Sequence, residues 1–85
     1  MTRLAEPDVC KALFAARLVA VRSDRGWSQE RLSFESGLAR SYLSGIERGL
    51  RNISLENICR LAGTLGVQPS VFLDFDVEVE VGDEG

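Results

Sequence analysis

Apolar residues recur along the chain at helical spacing. Cys10, Phe14, Leu18 and Val21 follow one another at intervals of four, four and three, which places them on one face of an amphipathic helix. Pro7-Asp8 opens that stretch: proline suits a first helical turn, and an acid sits well at the positive end. Asp24-Arg25-Gly26 closes it, with Gly26 able to adopt the left-handed cap conformation. Ser28 is an N-cap for a short second helix, although Arg31 stands where a capping box has an acid. Leu32 faces inward on that helix and Gly37 stops it. The spacing predicts a third helix from about Arg40 to Arg48, with Leu43 and Ile46 on its buried side and Gly49 after it. Ser54 caps a fourth, on which Leu55, Ile58, Leu61, Ala62 and Leu65 mark the core face before Gly66 ends it. Pro69-Ser70 opens a last short turn that packs Val71, Phe72 and Leu73.

The connection between the second and third helices is centred on Gly37-Leu38-Ala39. Two short helices joined through a tight glycine turn form the helix-turn-helix pattern. The expected fold is therefore all-α, a compact bundle of four to five helices with a helix-turn-helix. After Leu73 the period changes from helical to two, with Phe75, Val77, Val79 and Val81 alternating with Asp74, Asp76, Glu78 and Glu80. Nothing else in the chain reads as a strand to pair with it. The tail is then either disordered or a short strand pairing with another chain, most simply a symmetry mate.

Length and composition narrow this further. Eighty-five residues allow one small core, and 45% hydrophobic with 27% charged residues is the balance of a soluble globular domain. No apolar run approaches the roughly 18 residues of a membrane span, and no leader opens the chain, so the expected location is cytoplasmic. With no histidine and only Cys10 and Cys59, a zinc site or a histidine-based catalytic centre is excluded. Both cysteines fall on or near apolar helix faces and read as core packing rather than redox sensing.

The net charge of −3 looks wrong for a nucleic-acid binder, but it is unevenly spread. Residues 1–73 hold all ten basic residues against seven acids, a surplus of three positive charges. Residues 74–85 hold six acids and no base. The expected organisation is a mildly basic domain over 1–73 followed by an acidic tail over 74–85.

The run R-G-W-S-Q-E-R-L-S, followed by G-L-A-R-S-Y-L-S-G-I-E-R-G and S-L-E-N-I-C-R-L-A-G-T-L-G-V, resembles the phage-repressor-type (lambda-repressor-like) helix-turn-helix regulators. The resemblance extends from Arg22 to Phe72 and joins turn, cap and core positions. Within it, R-S-Y-L-S-G-I-E-R-G-L-R-N-I-S looks especially like the controller proteins of restriction–modification systems. The resemblance implies sequence-specific binding to double-stranded DNA.

A helix of about 10–12 Å diameter fits the major groove and presents its first turns to base edges. Arg40, Ser41 and Ser44 occupy those positions and are the expected base contacts. Arg40 can grip guanine O6 and N7 together, or touch only phosphate; the serines specify weakly. Gly45 offers no side chain where relatives often carry a polar reader, so DNA shape takes a share of the specificity. The resemblance implies a phosphate contact for Gln29, and Tyr42 either stacks on the sugar–phosphate backbone or covers the helix turn. Arg48, Arg51 and Asn52 follow the helix and are expected at the flanking backbone. Arg31 reads as solvated. The resemblance further implies a structural salt bridge between Arg22 and Glu47. Trp27 precedes the Ser28 cap and is placed to staple the helix start.

The leading functional expectation is a homodimer reading an operator with two half-sites, as controller of a restriction–modification operon that includes its own gene. Val71, Phe72, Leu73, Phe75 and Val77, with the exposed side of the fourth helix, are the candidate dimer surface. The alternative is an antitoxin-like or adaptor module whose acidic tail binds a basic protein. Neither reading involves an enzyme, metal, cofactor, membrane or small-molecule ligand.

Overall fold

The computed structural model describes residues 6–75. Over these the chain forms α1 (Pro7–Asp24), α2 (Gln29–Ser36), α3 (Arg40–Glu47), α4 (Leu55–Leu65) and a closing 3-10 turn (Pro69–Leu73). The class is all-α, as the periodicity predicts. The expected caps are in place: Ser28 Oγ accepts from the Arg31 N–H at 3.0 Å, and Ser54 Oγ accepts from the Asn57 N–H at 3.1 Å. Gly26 follows α1 with φ +71°, as expected of a residue beyond a helix end.

The core gathers one apolar face from every element. Phe14, Leu18 and Val21 of α1 meet Leu32 of α2, Leu43 and Ile46 of α3, Ile58, Leu61, Ala62 and Leu65 of α4, and Phe72. α1 packs against α3 and the closing turn, while α2 packs against α3 and α4. The Phe14 and Phe72 rings lie 5.5 Å apart and tilted by 49°, joining the two ends of the described chain. Burying each such side chain contributes roughly 1.5–3 kcal/mol. An eight-residue helix such as α3 has no independent stability in water, so Leu43 and Ile46 are what hold it to the domain.

Three expectations are corrected. Leu55, assigned to the core face, is 73% exposed. It is the first residue of α4, and helical side chains lean toward the N-terminus, which carries Leu55 off the packed stretch. Phe72, expected at a dimer surface, is fully buried. It is the member of the closing turn that points at Phe14, leaving Val71 half-buried and Leu73 exposed. Cys59 is exposed, since it stands one residue, about 100° of rotation, from the inward Ile58. Val77 and the alternating segment from residue 76 onward lie outside the described residues.

Candidate nucleic-acid interface

The turn that sets α3 against α2 is built by polar side chains. Gly37 terminates α2 with φ +78°, a conformation only glycine adopts without strain. Ser33 Oγ donates to the Leu38 carbonyl at 2.6 Å, and Ser36 Oγ accepts from the Leu38 N–H at 3.2 Å. Ser36 is 6% exposed, and the Leu38 N–H satisfies its buried hydroxyl. Neither serine belongs to the apolar periodicity, and the signal they carry in the sequence is a spacing of three immediately before a glycine.

α3 turns Leu43 and Ile46 inward and leaves Arg40 and Ser41 exposed, with Ser44 half-buried one turn after Arg40. The three residues singled out as base readers thus share the outward face of one helix. Arg40 has no hydrogen-bond or carboxylate partner among the described residues.

The C-terminal end of α3 is closely tied down. Glu47, its last residue, receives Arg22 Nε on Oε2 at 2.7 Å and Arg22 Nη2 on Oε1 at 2.9 Å. Two parallel N–H···O bonds are the strongest geometry open to such a pair. The side chains are only 16% and 5% exposed. Arg22 Nη1 also donates to the Trp27 carbonyl at 2.8 Å, and Gln29 Nε2 donates to Glu47 Oε1 at 2.9 Å. Arg22 and Glu47 together therefore join the end of α1, the α1–α2 connection, the start of α2 and the end of α3. The expected Arg22–Glu47 bridge is present, and Gln29 belongs to the same network. Because an amide nitrogen carries two hydrogens, one remains to Gln29 for an outside acceptor.

Tyr42 is half-buried, and its hydroxyl accepts from Asn57 Nδ2 at 3.0 Å. The Arg51 guanidinium lies 5.5 Å from the centre of its ring. The stem of Arg51 crosses α3 directly over Gly45, where a Cβ would overlap the Arg51 Cγ. Gly45 thus creates the groove in which Arg51 lies, a role its lack of a side chain did not announce. Arg48, Arg51 and Asn52 are exposed beyond the end of α3. Gly49, with φ +75°, brings this loop onto α1, where an added Cβ would stand 3.4 Å from the Ala12 Cα.

Elsewhere arginines serve the scaffold. Arg17 Nε donates to the Val71 carbonyl at 3.0 Å, and Arg25 Nη1 donates to the Leu65 carbonyl at the end of α4. Arg25 and Arg31 lie against the Trp27 ring, 5.0 and 4.5 Å from its centre. Trp27 packs on the core as the staple reading expects, and Arg31 adds a pair with Glu35 at 3.7 Å. A groove of about 300 Å³ lined by Cys10, Lys11, Phe14, Ile53, Leu73 and Phe75 opens on the α1–α4 side. Among the described residues no cluster of three metal-ligating side chains forms, and no helix is long and apolar enough to cross a membrane.

Comparison with known proteins agrees with this geometry. The helix-turn-helix family matches residues 18–72. Control protein C.BamHI of Bacillus amyloliquefaciens is 48% identical over 66 residues, covering 76% of this chain and 82% of its own. The crystal structure of the restriction–modification controller protein C.AhdI from Aeromonas hydrophila is 48% identical, with a TM-score of 0.71, covering 73% of this chain and 94% of its own. The controller protein C.Esp1396I, solved as a tetramer in complex with its natural 35-base-pair operator, is 31% identical with a TM-score of 0.70, covering 76% of this chain and 86% of its own. A short helix with an open polar face, set by a glycine turn and held by a buried ion pair, is here joined to sequence likeness over most of the domain: the chain belongs to the helix-turn-helix family of DNA-binding transcriptional regulators and is homologous to the restriction–modification controller proteins.

Proposed function

We propose that this protein is a homodimeric, sequence-specific controller of a restriction–modification operon that acts on the DNA upstream of its own gene. The observation that carries the reading is the face of α3. Arg40, Ser41 and Ser44 point outward together while the C-terminal end of the helix is fixed to α1 and α2. In this reading α3 enters the major groove, Arg40 takes a guanine edge, and the serines contribute weaker or water-mediated contacts. Gln29, Tyr42, Arg48, Arg51 and Asn52 meet phosphates on either side and set register rather than sequence. Homology to named control proteins, one of them seen as a tetramer on operator DNA, supports both the operon and the multimeric mode.

Dimerisation follows from two considerations. One recognition helix spans few base pairs, and two-fold dimers reading half-sites about 34 Å apart double the contacts. A surplus of three positive charges over residues 1–73 gives a single copy little hold on DNA at physiological salt. The exposed apolar residues Leu55 and Leu73, with the groove between α1 and α4 that Phe75 lines, form the surface assigned to the second copy. Val71 borders it, and Phe72 backs it from within the core.

The test is a gel shift on the DNA upstream of the gene, wild type beside Arg40→Ala, across salt concentrations. Saturable complexes holding two chains per pair of half-sites are expected. Arg40→Ala should weaken them about 10- to 100-fold while changing binding to random duplex far less. Equal affinity of the wild type for upstream and random DNA overturns the autoregulator reading, and a basic protein partner for the acidic segment becomes the reading to test.

A further inference from the structure

We infer that the acidic segment following Phe75 docks on the basic rim at the end of α3 and competes with DNA there. This rests on the reading of the α3 face as the DNA-binding surface. Most basic side chains within the described residues are already engaged. Lys11 pairs with Asp8, Arg22 with Glu47 and Arg31 with Glu35, while Arg17 and Arg25 donate to backbone carbonyls. Arg40, Arg48, Arg51 and Arg60 have no acceptor among the described residues, and three of these four lie on α3 or just beyond it.

The last described residue lies beside that rim. Phe75 lines the same groove as Asn52 and Ile53, the residues that directly follow Arg51. Residues 76–85 then bring Asp76, Glu78, Glu80, Asp83 and Glu84 without a single base. Ten residues span at most about 35 Å. α3, with eight residues, is only about 12 Å long. A ten-residue segment that starts beside Asn52 is therefore long enough to reach Arg48, Arg51 and Arg40.

Tethering makes a weak contact sufficient. A short linked segment is present at an effective concentration of about millimolar. An intramolecular affinity near 0.1–0.5 mM, on the order of an electrostatic contact, then occupies the rim most of the time and lowers apparent DNA affinity about 3- to 10-fold. The factor is the same for operator and random DNA. Operator binding typically has a margin of roughly a thousandfold or more over non-specific binding, so the loss in occupancy falls on non-specific sites. The segment thereby clears non-specific DNA without reading any sequence.

The test compares the full chain with a variant carrying Asp76→Asn, Glu78→Gln, Glu80→Gln, Asp83→Asn and Glu84→Gln, all beyond the described residues. Amide shifts are read by NMR, and binding to a random-sequence duplex is read across salt. Shift differences concentrated at residues 48–52 and at Arg40 are expected. Duplex binding by the variant should be about 3- to 10-fold tighter near 50 mM salt, with a steeper salt dependence and a difference that fades near 300 mM. Absence of shift differences at that rim overturns the docking, whatever the DNA binding does. Shifts at the rim with equal DNA affinities overturn the competition. If neither protein binds duplex, the DNA-binding reading of α3 fails and the competition falls with it, while the shifts still decide docking.

Discussion

The two sides of α3 are built on opposite plans. Its inner side is crowded, with Leu43 and Ile46 sealed in the core, and at its C-terminal end Glu47 accepts three hydrogen bonds from two side chains of other elements. Its outer side is open: Arg40 and Ser41 are exposed, and Arg40 has no partner among the described residues. Donors engaged within the fold are unavailable to DNA, whereas donors held on a rigid helix and left free suit an external acceptor. The inner side therefore decides where the outer side points. Breaking the two sides separately should give separable defects.

The largest defect is expected inside. Glu47→Ala removes the carboxylate and leaves the Arg22 guanidinium, 16% exposed, beside the Trp27 carbonyl without its counter-charge. Loss of about 3 kcal/mol of unfolding free energy is expected, since stranding a buried charge costs more than the pair contributes. A double-mutant cycle with Arg22→Ala should return a coupling of about 1–3 kcal/mol in urea unfolding. Single variants that each lose less than about 0.5 kcal/mol would show that the bridge does not hold α3, and the contrast between its sides would collapse.

Smaller effects are expected at the edge between the two sides, where Asn57 of α4 holds the Tyr42 hydroxyl. Asn57→Ala gives up that hydrogen bond, about 1 kcal/mol, and recovers about half as much from the better helix propensity of alanine. A net loss near 0.5 kcal/mol is expected in the same urea titration. The matching Tyr42→Phe variant has no such offset and should lose about 1 kcal/mol, and adding Asn57→Ala to it should cost nothing further. Additive losses instead would mean that the two groups act apart, and that α4 does not position this edge of α3.

Legibility in the sequence followed the same division. The inner plan is periodic: every helix, both serine caps and nearly all of the core are encoded by repeating apolar positions and their punctuation. Leu55 misled because period alone does not say where a neighbouring helix ends, and Phe72 because a short turn has too few residues to reveal which one points inward. The outer residues were legible as a set, from their place on α3, but their supports were not. Ser33 and Ser36 lock the turn through backbone atoms of Leu38, and Asn57 reaches Tyr42 across 15 positions of chain. Neither relation has a period, and only the folded arrangement brings these groups together. The Arg22–Glu47 bridge, separated by 25 positions, was accessible only through family resemblance.

Gly45 offers the finest test of how the two sides are coupled, because two effects of similar size oppose each other there. Glycine within a helix is about 0.8–1.0 kcal/mol worse than alanine. Gly45→Ala should therefore stabilise α3, but the new methyl group occupies the path of the Arg51 stem. Arg51 must swing away from the Tyr42 ring, giving up a cation–π contact of about 0.5–1 kcal/mol. Near-cancellation is expected, with a melting temperature within about 2 °C of wild type, because 1 kcal/mol corresponds to roughly 4–8 °C in a domain of this size. Duplex binding should nevertheless change: an Arg51 no longer steered by Gly45 and Tyr42 makes a poorer phosphate contact, so the slope of log affinity against log salt should fall by about one. A variant that melts several degrees higher with an unchanged salt slope would show that Arg51 is indifferent to its groove, leaving glycine at this position without a structural reason. Unchanged stability with a reduced slope would place Gly45 among the residues that aim the DNA-facing side, although it offers DNA no side chain of its own.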